Sequence, residues 1–412
     1  MAISPIPHWF EGSEYTHKVA ACIMKYGPIS RITLAQILGL SQGAVSRITS
    51  DLIYAGVIEE TPMAPGQGGR LPKDFVRKNS QKAAQKSGQK ENTERRGRPQ
   101  TGLRIVANAR TFVGMKINTT HITAVAVNAI GQIVTGCHDL PLDDDSPESV
   151  VDVIKQLTMD CADEAVMSGL PAPCAVGVSL GGHITDDSVT TFAPFLHWSK
   201  PVEFSAMIRK ATGLPTGIYN DIDSLAVDAC LFGSGVGLNS FAVVTIGIGV
   251  GYSLTVNGEP VHNPDKNRGL VGHILVDPDG PRCISGHKGC ATCLTDNSIA
   301  TEYSKIIGRP ATFDEFAAAA RASKTQATNL VNRTCFRLGT LIATIANLAM
   351  PDKIMIAGES SFIAKLGVGD LRNGINMYRH SQAAPVDFEI ADHDWAMWGK
   401  AAAAQAIRQY VG

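Results

Sequence analysis

Apolar positions in the first sixty residues recur at helical spacing, with two interruptions. From Tyr15 to Glu60 the pattern predicts a helix over about Glu14 to Tyr26, ended by Gly27-Pro28, and a second that Ser30 can cap and that runs to Leu38. Gly39-Leu40 then turns the chain, and Ser41 opens a third helix in SQGAVSRITSDLIYAG, closed at Gly56. A short helix, a glycine turn and a helix with a small, polar first turn form the helix-turn-helix pattern, whose second helix enters the DNA major groove. Ala35, Ile37, Leu40, Val45, Ile48 and Leu52 are the expected internal positions. Ser41, Gln42, Ser46 and Arg47 fall on the exposed early turns, where side chains reach base edges and phosphates. The following GVIEETPMAPGQGGR reads as a short strand and a wing.

From about Leu103 the texture changes to strands alternating with helices. RTFVGMKINTTHITAVAVNAIGQIV predicts two antiparallel strands around a tight connection, CAVGVSL a buried strand, FAVVTIGIGVGYSLTVNGE a second hairpin and DKIMIAGES a late strand. Helices are expected at about 147–168, 203–212, 222–232 and 326–349. Such a body is α/β and large enough for two lobes with a cleft between them. Between these parts, residues 64–102 are rich in Gly, Gln, Lys, Arg and Ser and have too few apolar residues for a core. The expected division is therefore a DNA-binding domain over 1–63, a basic linker over 64–102 and an α/β body over 103–412.

Charge sharpens that division. The net charge of −1 conceals +7 in residues 64–102, between a near-neutral start and a body of −7. A basic segment beside an acidic body suggests a polyanion partner at the front end, because Lys and Arg gain affinity by releasing counterions from phosphates. Within the segment, RRGRP carries Arg96 and Arg98 on an extended Gly/Pro backbone, suited to a narrow A·T-rich minor groove. GGRLP at 68–72 reads as a second copy or as part of the wing.

With 412 residues and 44% hydrophobic content, the chain supports two or three domains. Its start lacks the basic and apolar blocks of a signal peptide, and its most apolar stretch, Phe241 to Val256, is interrupted by glycine and too short to span a bilayer, so the expected location is the cytoplasm without membrane contact. Nine cysteines, an odd number, argue against a disulfide framework. Three of them fall in GHILVDPDGPRCISGHKGCATC and, with His273, give the candidate metal ligands His273, Cys283, Cys290 and Cys293.

The order helix-turn-helix, RGRP, GVSLGG, YNDIDSLA, TIGIGVGYSLTVNG and GHILVDPDGPRCISGHKGC strongly resembles the ROK family (repressors, open reading frames, kinases) in its transcriptional-repressor branch. The resemblance covers residues 14–412 except the basic linker. It implies a winged helix-turn-helix joined to an actin-like, ribonuclease H-like sugar-kinase body of two lobes, assembled as a homodimer or dimer of dimers. It also implies a structural zinc held by a His and three Cys, of which His273, Cys283 and Cys290 match while Ser285 stands at the middle thiol position. Cys293 is the expected replacement sulfur, since Cys290-x-x-Cys293 has the spacing of a zinc knuckle.

Against the kinases of this family, Lys116 replaces an acidic residue near Mg²⁺ and phosphate, Asn118 and Thr119 replace glycines, and Ile248 replaces a phosphate-binding threonine. An isoleucine cannot donate that hydrogen bond, so catalysis is expected to be lost. The resemblance places a small carbohydrate effector at Gly181, Gly182, Phe195, Asn220, Asp221, His273 and Thr292. Phe195, Leu270 and Thr292 stand where the family has polar sugar contacts, which disfavours the usual hexose. The expected function is a repressor of carbohydrate-use genes released by such an effector. The alternatives are a sugar kinase fused to a DNA-binding module and a regulator controlled by a protein partner.

Overall fold

The computed structural model describes residues 5–63, 70–86, 100–263, 265–266 and 268–412. The chain divides into two units, Met1–Asn239 with Trp395–Gly412, and Ser240–Asp394.

The first unit opens with helices α1 (Glu14–Tyr26), α2 (Arg31–Leu38) and α3 (Gln42–Tyr54). Each begins at a serine whose hydroxyl accepts a backbone N–H three residues on: Ser13, Ser30 and Ser41. Gly39, at φ 65°, ends α2 in the left-handed region that glycine occupies without penalty. Strand β1 (Ile58–Met63) pairs antiparallel with β2 (Gln100–Ile105), Ile58 opposite Ile105. A helix, a glycine turn and a second helix, followed by a two-stranded ribbon, therefore form, and residues 70–86 and 100–102 of the expected linker are among those described. Part of it is the helix α4 (Lys73–Lys86), and Gly237 lies against the backbone of Leu71.

The rest of the unit is a five-stranded sheet in the order β5-β4-β3-β6-β9, made of β3 (Thr111–Ile117), β4 (His121–Asn128), β5 (His138–Pro141), β6 (Pro173–Leu180) and β9 (Thr216–Asn220). A small hairpin, β7 (His183–Thr185) with β8 (Val189–Phe192), stands beside it. Helix α5 (Pro147–Met167) buries Val150, Ile154, Leu157 and Cys161, at the 3–4 residue spacing of one helical face. Helices α6 (Phe204–Thr212) and α7 (Asp221–Phe232) flank the last strand. The C-terminal helix, Trp395–Val411, packs so closely on the sheet that a Cβ at Gly114 or Gly177 would collide with the carbonyls of Gly399 and Ala402. Gly177→Val is therefore expected to cost about 3 kcal/mol, read as a lower Tm with unchanged helix content.

The front helices do not stand apart from this body. Val19, Ile23, Val45 and Leu52 share one core with Phe112, Val125, Ala406, Ile407 and Tyr410. His17 Nδ1 meets the Val411 carbonyl at 3.2 Å, and the Trp9 amide donates to Tyr410 O at 2.7 Å.

The second unit repeats the sheet order as β12-β11-β10-β13-β14, from β10 (Ser240–Ile246), β11 (Val250–Val256), β12 (Glu259–Pro260), β13 (Lys353–Ala357) and β14 (Phe388–Ile390). In both sheets the first strand in sequence pairs antiparallel with the second and parallel with the fourth. This repetition of an antiparallel hairpin and parallel strands is the expected actin-like, ribonuclease H-like body. Helices α8 (Asp296–Ile307), α9 (Phe313–Arg321), α10 (Thr325–Leu348), α11 (Phe362–Leu366) and α12 (Val368–Met377) cover it, with α10 contributing Leu330, Leu338, Leu341 and Ile342 to the core. Among the described residues no helix is long and apolar enough to cross a membrane.

Candidate functional site

Helix α3 turns Val45, Thr49 and Leu52 inward, which leaves Ser41, Gln42, Ser46 and Arg47 exposed on its early turns, as the periodicity requires. Ala35 is buried, while Ile37, Leu40 and Ile48 are half-buried against the same core. The helix is held at a set angle by Arg31, whose Nε donates to Thr49 Oγ1 at 2.9 Å and whose second arm pairs with Glu60 of β1 at 2.7 Å. Thr49 in turn donates to the Ser46 carbonyl at 3.1 Å. One arginine thus ties α2, α3 and the ribbon together. Arg96 and Arg98 lie outside the described residues.

A second cluster lies where β9 passes into α7. Asn220 caps that helix, its Oδ1 accepting the amides of Ile222 and Asp223 while its Nδ2 donates to Gly182 O at 3.1 Å. Asp221 is buried; one carboxylate oxygen accepts the Ile222 amide at 2.9 Å and the other the ammonium of Lys116 from β3. Lys116 is equally buried, with Nζ 5.3 Å from the centre of the Trp398 ring. The Phe195 ring covers Gly181, 3.2 Å from where a Cβ would stand, and Asp221 Oδ2 lies 3.5 Å from the same point. Of the expected effector residues, Gly181, Gly182, Phe195, Asn220 and Asp221 meet here in the first unit. His273 and Thr292 belong to the second.

In the second unit the glycine turn between β10 and β11 is closed over by acid. A Cβ at Gly247 would strike the Glu359 carboxylate, and Ile248 is exposed beside it. Asp296, whose amide donates to Gly247 O at 2.9 Å, accepts from Ser360 Oγ, and burial pushes its pKa up to about 6 against that hydrogen bond, with Glu359 and Asp314 adding to the rise. The unfolded chain binds this proton only below about pH 4. Between those values the native state holds more protons, so stability falls as pH rises from about 4 to about 6 and stays lower above. Asp296→Asn is expected to raise stability by about 1 kcal/mol at pH 7.5, the figure being reduced for partial exposure, and to leave it unchanged near pH 4. Calorimetric Tm values at the two pH values check this.

Cys283 lies within the loop closed by the Leu275–Cys290 bridge, with Cys290 at its end, His273 two residues before it and Cys293 three residues after it, all in the second unit. The donor atoms of His273, Cys283, His287 and Cys290 all lie within 4.8 Å of one another. His273 Nδ1 faces His287 Nδ1 at 3.0 Å and Cys283 Sγ at 3.9 Å, with the two rings nearly perpendicular at 86°. Burial opposes ionisation of the Cys283 thiol, but hydrogen bonding from Cys290 and the amides of His287 and Ser285 outweighs it and holds the pKa below its ordinary value. Two sulfurs and two imidazoles converging on one point form a donor set suited to zinc. Thr292 Oγ1 touches Cys290 Sγ at 2.9 Å and so braces that candidate ligand.

Cys293, expected as the fourth sulfur, is not in this group. It is 1% exposed among Val271, Leu294, Ile299 and Leu338, and burial pushes its thiol up to about 12, so it serves as a small apolar core residue. The 3₁₀ turn Ala291–Leu294 directs it inward, which spacing alone does not reveal. The member that sequence reasoning missed is His287.

The loop is anchored from below by Arg337 of α10, buried to 4% exposure, which bonds Asp277 at 2.8 Å and Glu302 at 2.7 Å. Arg337→Ala leaves two carboxylates without their cation and is expected to cost about 3 kcal/mol, read as a lower Tm.

Two repeated sheets of this kind, carrying an acid at the end of one strand and a glycine turn in the other, define an actin-like body of the sugar-kinase type. Residues 112–406 match the ROK family, and the chain belongs to it. It is 23% identical over 358 residues to the DNA-binding transcriptional repressor Mlc of Escherichia coli K12, covering 84% of this chain and 80% of that protein. The crystal structure of a ROK family transcriptional regulator, a homologue of E. coli Mlc, superposes with a TM-score of 0.70 at 23% identity over 96% of both chains. A ROK glucokinase from Streptomyces griseus, solved with glucose and AMPPNP, superposes with a TM-score of 0.59 at 21% identity over 72% of this chain and 97% of that one.

Proposed function

We propose that the protein is a cytoplasmic, DNA-binding transcription regulator, a repressor of carbohydrate-use genes, controlled by a small carbohydrate effector and without kinase activity. The observation that carries this reading is the exposed Ser41, Gln42, Ser46 and Arg47 surface of α3, braced by Arg31. The helix and its capping serine present amides, hydroxyls and a guanidinium to a groove, the groups that read base edges and phosphates. Arg96 and Arg98 are assigned to the adjacent minor groove. The similarity to the repressor Mlc supports the same assignment. Operator binding as a homodimer or dimer of dimers would place half-sites about one helical turn or a multiple apart.

The degenerate kinase site supports the absence of catalysis. A general base must reach the substrate, whereas Asp221 is buried, with one oxygen held by the Lys116 ammonium and the other by an amide. Glu359 against Gly247 puts negative charge on the turn where a nucleotide phosphate would have to approach. The effector pocket is assigned in the first unit to Gly181, Gly182, Phe195, Asn220 and Asp221; His273 and Thr292, named with them from the sequence, belong to the second unit. The pocket's coupling to DNA is supported by the C-terminal helix: Trp398 lies over Lys116, and Tyr410 and Val411 of the same helix reach α1 and the segment before it. The metal assigned to the His/Cys cluster is structural zinc, which when bound would cross-link the loop.

The test is a labelled operator complex titrated with mono- and disaccharides and their phosphates, with each sugar also incubated with Mg-ATP. One carbohydrate class is expected to change operator affinity at least about tenfold, with no sugar phosphate formed. Turnover abolished by Asp221→Asn would identify a kinase instead.

A further inference from the structure

The geometry points to His287 as the residue that completes the metal site in place of the thiol missing at Ser285, giving a two-cysteine, two-histidine centre of His273, Cys283, His287 and Cys290. The inference rests on the assignment of zinc to this cluster and concerns which side chains of this chain hold it.

The loop is built to present these two partners together. The Cys283 amide donates to His287 O at 2.9 Å and the Gly286 amide to Cys283 O at 2.9 Å, so Cys283 and His287 flank a tight turn. Arg282 and Lys288 pair as a β-bridge on its outer side. Gly286, at φ 83°, supplies the left-handed conformation the turn requires. Ser285 and Ile284 are exposed at the tip. His287 is thereby returned to the side of Cys283, with its Nδ1 at 3.0 Å from that of His273.

Zinc bonds of about 2.0–2.1 Å to nitrogen and about 2.3 Å to sulfur separate tetrahedral donors by roughly 3.3–3.8 Å. The 3.0 Å and 3.9 Å contacts at His273 Nδ1 bracket that spacing. Two facing imidazole nitrogens are otherwise satisfied only if one carries the proton, while a cation satisfies both at once. A serine hydroxyl, by contrast, is a weak zinc donor. Exchange of one thiolate for an imidazole also changes the centre's charge. Three thiolates leave Zn²⁺ with a net −1, and two leave it neutral.

Zinc content by elemental analysis and cobalt(II) substitution of the intact protein test the assignment. Wild type is expected to hold about one zinc per chain, and its cobalt form to show sulfur-to-metal charge transfer of two-thiolate intensity. His287→Ala should lower zinc affinity by more than about a hundredfold, beyond the loss typical of groups that merely orient a ligand. Cys293→Ala should leave it unchanged. Because a metal-free loop can misfold, the deciding variant is the double change Ser285→Cys with His287→Ala. It should restore zinc binding, and its cobalt charge-transfer band should be half as strong again as that of wild type. Full zinc affinity in His287→Ala, or a three-thiolate band in wild type lost on changing Cys293, would overturn the role of His287. A wild-type protein that binds no zinc on titration would overturn the metal assignment and this inference with it.

Discussion

Replacement of Gln42 and Arg47 together by alanine is expected to lower affinity for the specific operator by at least about a hundredfold. Each good contact to a base edge is worth about 1–3 kcal/mol, and a protein with two symmetric reading helices loses it twice. Both side chains are exposed, so folding should be untouched. Arg31→Ala acts differently. It removes the bonds to Thr49 and Glu60 and so loosens the angle of α3 without touching the reading surface. Anisotropy titrations at several salt concentrations separate the roles. A lost phosphate contact reduces the salt slope by about one and weakens all sequences alike, whereas a lost base contact relaxes preference at one position.

Lys116→Met is expected to destabilise the protein by about 3–5 kcal/mol, because it strands the buried Asp221 carboxylate without a counter-charge. That corresponds to a fall of roughly 10 °C in Tm. Adding Asp221→Asn should recover most of the loss, since the pair, not either member, carries the energy. In a functioning kinase cleft the acid would instead be open to substrate, and Lys116→Met would be nearly neutral. The cycle therefore reads out whether the chain's own lysine occupies the place of a bound reactant.

The front of the fold was legible because its signals are local. Serine caps, a glycine stop and apolar spacing at 3–4 residues define α1 to α3, and the four exposed side chains follow from the same periodicity. The β3–β4 and β10–β11 hairpins and the strands β6 and β13 were equally plain as apolar, β-branched runs, whereas the short β7–β8 hairpin was not marked. Helix α4 was not anticipated, because KDFVRKNSQKAAQK has the composition of a solvated linker. The helices α8, α9 and Trp395–Val411 were also not delineated. The last draws its place from alanines against glycines 114 and 177, a match visible only once sheet and helix are side by side.

Site residues divided along the same line. Asn220 and Asp221 were marked by their motif, but the lysine that holds Asp221 lies 105 residues away in sequence, so their pairing had no local trace. Ser285 signalled a missing thiol, and counting sulfurs directed attention to Cys293. The turn at Cys283–His287 and the 3₁₀ turn at Ala291–Leu294 reverse that choice, bringing an imidazole to the cluster and sending the sulfur to the core.

Selection of bound fragments from sheared genomic DNA by the purified 412-residue protein, followed by footprinting of those enriched, is the most direct test of sequence reading by α3. The expected result is a two-fold symmetric sequence whose half-sites lie about one helical turn or a multiple apart, protected by wild type and not by the Gln42→Ala, Arg47→Ala variant at the same concentration. Fragments retained without sequence preference, and equally by both proteins, would contradict it.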